Sequence, residues 1–175
     1  MDLMKSVVRH APWALLCAGV WLAPAALAQQ PQPYGAPVGV DLARRAAVAA
    51  IGEGKKNGWT VAAAVVDAGG ALVYFERIDG TQSGSSEVAL AKARSAAAFK
   101  RPTKAFEEAL AGGRQAILSL PGAVPLEGGI PLVVDGKIVG AVGVSGATSQ
   151  QDGVCAQAAV NAVAAAPRPS AAAAK

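Results

Sequence analysis

The segment Gly128–Gly146, GGIPLVVDGKIVGAVGVSG, leaves a chain of this kind few ways to fold. Two runs rich in β-branched residues, Ile130 to Val134 and Ile138 to Val144, flank Asp135-Gly136, a dipeptide that tolerates the positive φ angles of a tight turn. The spacing predicts an antiparallel hairpin. In the second strand both alternating sets are apolar: Ile138, Gly140, Val142 and Val144 on one side, Val139, Ala141 and Gly143 on the other. Neither face is suited to water, so helices must cover the sheet. The second set is small and ends in Ser145, and small side chains on a strand admit the close approach of another backbone, a ligand or a partner subunit.

The chain has 175 residues. Its first part reads as an address: Lys5 and Arg9 give a charged start, Ala14 to Leu22 is apolar, and Ala26-Leu27-Ala28 has the small-x-small form of a cleavage site. Residues 1–28 are therefore expected to be a signal peptide, removed after Ala28. The apolar stretch is shorter than the ~20 residues of a membrane span. Export to the periplasm or the medium follows as an expectation, with no membrane attachment after cleavage. Pro31, Pro33, Gly35 and Pro37 give 29–40 the composition of an extended linker. One domain is expected over 41–166, and a disordered tail over 167–175.

Within that domain Asp41 begins a helix with an apolar stripe at Leu42, Ala46, Ala50 and Ile51, stopped near Gly58. Thr60 to Val66 and Ala71 to Arg77 form a second hairpin. An alanine-rich helix over Glu87 to Phe99 follows, then a shorter one capped at Thr103 and ended by Gly112-Gly113. After the Gly128–Gly146 hairpin, Ser149-Gln150-Gln151-Asp152 has the form of a capping box before a last helix. The order α, β, β, α, α, β, β, α predicts an α+β fold with an antiparallel sheet of four or five strands and helices packed on it. The many alanines bury modest area, so association into a homo-oligomer is expected to add to it.

Several function classes are excluded by what the exported chain lacks. His10 is the single histidine, and Met1 and Met4 the methionines; all leave with the signal peptide. That removes Ser-His-Asp and Cys-His catalysis, histidine-bound zinc and the commonest axial ligands of haem. Cys17 leaves as well, so Cys155 forms no internal disulfide and is expected to be buried and inert. A net charge of +4 without a basic, aromatic-interleaved stripe argues against a nucleic-acid partner.

Four segments in order, VVDAGGALVYFERIDG (Val65 to Gly80), ALAKARSAAAFKRPT (Ala89 to Thr103), the Gly128–Gly146 hairpin and Gln150 to Asp152, resemble the GlcG/HbpS family, the haem-binding or haem-degrading group related to the C-terminal domain of PduO. The resemblance spans Asp41 to Ala165 and implies a profilin-like α/β sandwich, self-association and, in some members, binding of haem or a related tetrapyrrole. Exported members are regarded as haem sensors or scavengers. Members that ligate iron through histidine have no counterpart here, and no axial ligand carries over. Tyr74, Thr103 or the thiolate of Cys155 are the chemically available alternatives.

A basic cluster, Arg77, Lys92, Arg94, Lys100, Arg101 and Lys104, reads either as a solvated helix face balanced by Glu87, Glu107 and Glu108 or as a set of partners for propionates or other carboxylates. The candidate cofactor-binding residues are Arg77, Asp79, Lys92, Arg94 and Thr103, with Arg77 clamping a carboxylate and Asp79 fixing the loop or the guanidinium. Glu76 and Glu127 are acidic groups usable as proton acceptors if buried. The expected function is an exported, oligomeric binding protein for haem or a similar planar anion. The alternative is a metal-free enzyme or accessory protein acting on small carboxylate or carbonyl compounds.

Overall fold

The computed structural model describes residues 32–166; the expected signal peptide and the 167–175 tail lie outside them. Helix α1 spans Val40–Lys56, β1 Ala62–Asp67, β2 Leu72–Arg77, α2 Ser85–Phe99, α3 Lys104–Ala111, β3 Gly129–Val134, β4 Lys137–Ser145 and α4 Ser149–Ala164, with a 3₁₀ turn at Gln115–Ser119. The strands form one antiparallel sheet in the order β2-β1-β4-β3, which settles the strand number at four. Among the described residues no helix is long and apolar enough to cross a membrane.

Alternation along the two central strands decides which helix covers which face. Val61, Ala63 and Val65 join Val142 and Val144 on the side packed by Ala43, Ala46, Ala47 and Ala50 of α1 and by Cys155, Ala156 and Ala159 of α4. Ala62, Ala64, Val66 and Ala141 face the other way, against Ala89, Ala93, Ala96 and Ala97 of α2. The small-residue row in β4 is therefore filled by another backbone. A Cβ at Gly143 would overlap the carbonyl oxygen of Ala89 and lie 2.5 Å from the nitrogen of Ala93. Asp135 and Gly136, at φ of 49° and 72°, make the mirror-image turn that a two-residue hairpin needs.

Two local expectations are corrected. The capping box of α4 uses Thr148, whose hydroxyl accepts from the Gln151 N–H while the Gln151 side chain accepts from the Thr148 N–H, so the cap sits one residue before Ser149. Asp152 is thereby released from capping. Residues 33–38, proline-rich by sequence, lie extended beside β4 where β1 has ended: Gly35 N–H donates to the Ile138 carbonyl at 2.8 Å, Val38 N–H to that of Val139 at 2.8 Å. Val38 is buried in the core, and the Tyr34 hydroxyl donates to the Ala97 carbonyl at 2.8 Å. Proline supplies no donor, but Gly35, between Pro33 and Pro37, and Val38, just after Pro37, do.

Cys155 is fully buried on the core face of α4, and burial, reinforced by the charges of Asp152 and Glu53, pushes its thiol up to about 11. At pH 8 about one thiol in a thousand is then ionised, against roughly a quarter in an unfolded chain. In a Cys17→Ser background the native protein is expected to react with a disulfide reagent at least ~100-fold more slowly than in denaturant. Equal rates would show that α4 does not cover this residue.

Candidate functional site

A cleft of about 350 Å³ opens between the start of α3, the loop entering β3 and the outer face of α4. That volume lies at the lower end of small-molecule sites. One wall is a helical stripe, since Gln150, Gly153, Val154 and Gln157 stand at the i, i+3, i+4, i+7 spacing that stacks side chains on one face of α4. The opposite wall is Pro102, Lys104 and Glu127, and the floor is the backbone of Gly128 and Gly129 beside Ile130.

Thr103 builds the second wall. Its hydroxyl donates to the Leu126 carbonyl at 2.6 Å and accepts from the Gly129 N–H at 2.9 Å, and its own N–H donates to the Gly129 carbonyl at 2.9 Å. Further along α3 the Glu107 carboxylate accepts from the Glu127 N–H. These bonds clamp the glycine-rich loop to α3, so that the Glu127 side chain is aimed into the cleft. There it accepts a hydrogen bond from the Lys104 ammonium at 2.7 Å, with Glu108 3.8 Å away on the solvent side. The bond to Glu127 raises the Lys104 pKa above the ordinary lysine value, against a smaller opposing effect of desolvation. Gly153 makes room for the carboxylate; a Cβ there would lie 2.8 Å from the Cγ and Cδ of Glu127.

The five residues nominated from sequence do not converge on this cleft. Arg77 and Asp79 are exposed at the far end of edge strand β2 and are not in the cleft's lining. Arg94 is exposed and donates to the Gly70 carbonyl at 3.1 Å. Lys92 is 2 % exposed and Thr103 fully buried. The Lys92 ammonium is taken up by Asp152 at 2.8 Å and the Val144 carbonyl at 3.0 Å, and the Thr103 hydroxyl by the loop. Lys92 on α2 and Thr103 just before α3 both face inward, toward partners the primary structure does not show. Tyr74 is half-buried against the core on the α1 side.

Lys104 belonged to the basic cluster and Glu127 was an acidic candidate, but the α4 wall was missed. Its signal was the stripe Gln150, Gly153, Val154, Gln157, which reads as an ordinary solvated helix face until the loop before β3 is laid against it.

The sequence profile of the family described as haem degrading protein HbpS-like matches residues 38–161. Protein GlcG of Escherichia coli K12 is 46% identical over 93 residues, covering 53% of this chain and 69% of that protein. A crystal structure of a double mutant of Streptomyces reticuli HbpS superposes with a TM-score of 0.67 at 31% identity, over 79% of this chain and 95% of that one. The crystal structure of the PduOC–haem complex gives 0.66 at 28% identity, over 72% and 94%.

Proposed function

The chain belongs to the HbpS-like family, and from that premise we propose that it binds haem, or a molecule of similar make with an apolar plane and carboxylates at its edge, in the cleft between α3 and α4. The observation that carries this reading is the cleft's composition: among the described residues its lining pairs one cation, Lys104, with the apolar surfaces of Pro102, Ile130 and Val154, which suits a flat apolar ligand that carries carboxylates. The haem complex of PduOC, a structural neighbour, supports it.

The residues present fit the organic part of haem and not a ligated iron. Residues 32–166 contain no histidine or methionine, and no cluster of three metal-binding side chains occurs among them. The Cys155 thiol is buried and protonated, the Thr103 hydroxyl is fully buried and bonded to the Leu126 carbonyl and the Gly129 N–H, and Tyr74 lies on the α1 side of the core outside the cleft's lining. In this reading the macrocycle is held by apolar contact and by its carboxylates. Export rests on the features of residues 1–28 and homo-oligomerisation on the exposed Leu72 and Phe75 of edge strand β2.

One preparation tests these points. Titration with haemin and with metal-free protoporphyrin IX is expected to give saturable spectral changes with affinities within about tenfold of each other, since no side chain bonds the iron. Mass measurement of the exported protein is expected to place its first residue at Gln29, and light scattering to give more than one subunit. Absence of saturable binding of either compound overturns the reading.

A further inference from the structure

Among the described residues, the only cation in the cleft's lining is already occupied. Glu127, with a side chain 17% exposed against 50% for Lys104, sits on the inner side of the pair, and the lysine reaches in from solvent. The carboxylate does not depend on Lys104 for its place. The Glu127 backbone is fixed through Glu107, and its side chain fills the volume that the missing Cβ of Gly153 leaves on α4. An incoming carboxylate that seeks Lys104 therefore meets a resident one.

We propose that Glu127 is the specificity-determining residue of this cleft, a built-in competitor that a ligand carboxylate must displace from Lys104. The proposal rests on the binding function put forward above. Displacement exchanges one charge-assisted hydrogen bond for another and leaves Glu127 to be rehydrated, so a small lone anion such as acetate gains nothing by entering. A ligand that also lays an apolar plane against Pro102, Ile130 and Val154 gains the burial of that surface and binds. The pair thus rejects common small anions while admitting large apolar ones, a selectivity built from an unfavourable element as much as from an attractive one.

The test compares protoporphyrin IX, a dicarboxylate, with its neutral dimethyl ester on wild-type protein, Glu127→Gln and Lys104→Met. Glutamine keeps the size of the side chain and removes its charge. Glu127→Gln is expected to bind the dicarboxylate about tenfold more tightly and the ester unchanged, and Lys104→Met to lose about tenfold for the dicarboxylate alone. The ester is the internal control, because a misfolded variant loses both compounds. If wild type binds the dicarboxylate and Glu127→Gln binds it no better, the competitor role is wrong while the binding function stands. If wild type and both variants bind neither compound, the function itself is wrong and the inference falls with it.

Discussion

Gly143→Ala is expected to destabilise the protein by about 3 kcal/mol or more, at or beyond the upper end for overpacked cores and a large part of the stability of a domain this size. The added methyl would meet two backbone atoms of α2, the Ala89 carbonyl oxygen and the Ala93 nitrogen, and neither can be moved by a change of rotamer. Shifting the helix instead would open the contacts of Ala93, Ala96 and Ala97 with Val66 and Ala141 and pull on Lys92, whose ammonium is held on the far side of β4. Gly52→Ala is the control. It lies inside α1 with nothing within 4 Å of its missing Cβ, and is expected to leave stability unchanged or raise it by up to about 1 kcal/mol. Urea unfolding of the two variants separates the cases; a Gly143→Ala midpoint equal to wild type would show that α2 does not rest on β4.

The same glycine shows how far the primary structure could be read. A row of Val139, Ala141, Gly143 and Ser145 signals a close approach, and hydrophobic alternation with Asp135-Gly136 fixes the hairpin around it. What approaches is not written there. The answer came from α2, whose alanines carry no periodicity strong enough to announce a face yet are the side chains that let a helix backbone come this near a strand. Val65-Val66-Asp67 and Val133-Val134-Asp135, each closing the first strand of a hairpin, make a similar point. Asp135 enters its turn with a positive φ, whereas Asp67 ends β1 and accepts N–H bonds from Gly69 and Ala71 at 2.9 Å each, so one sequence pattern serves two turn chemistries.

For the site, residue type was legible and direction was not. Lys92, Arg94 and Thr103 fall within one short stretch, yet one points through the sheet edge to α4, one to the turn after β1 and one into the loop before β3. A charged residue in an alanine-rich helix reads as solvated because an isolated buried charge is so costly; only the partner sixty residues away makes burial tolerable. That partner, Asp152, was masked in the sequence by a motif that fits it one residue out of register.

The largest electrostatic effect is therefore expected at Lys92 and Asp152, with side chains 2% and 3% exposed and 2.8 Å apart. Asp152→Ala strands an ammonium whose remaining partner is the Val144 carbonyl, and is expected to cost about 3–5 kcal/mol. Lys92→Met should behave differently. Burial already raises the Asp152 pKa, opposed by Lys92 and by the N–H groups of Ala147 and Gly146, and removing the ammonium leaves burial less opposed. A carboxyl whose folded pKa lies above its unfolded value favours the folded state most fully below the unfolded value, and that contribution is lost as pH rises through the folded one. Lys92→Met is thus expected to be markedly more stable near pH 4 than at pH 7, with a steeper decline than wild type, while Asp152→Ala shows no such slope from this site. Lys92→Met combined with Asp152→Leu should recover much of the loss, because two apolar side chains need no partner. Urea unfolding of the three variants at both pH values is the measurement. If Asp152→Ala unfolds at the wild-type midpoint, or the double variant is no better than the worse single one, the pair is not the clamp that joins α2 to α4 around the end of the sheet.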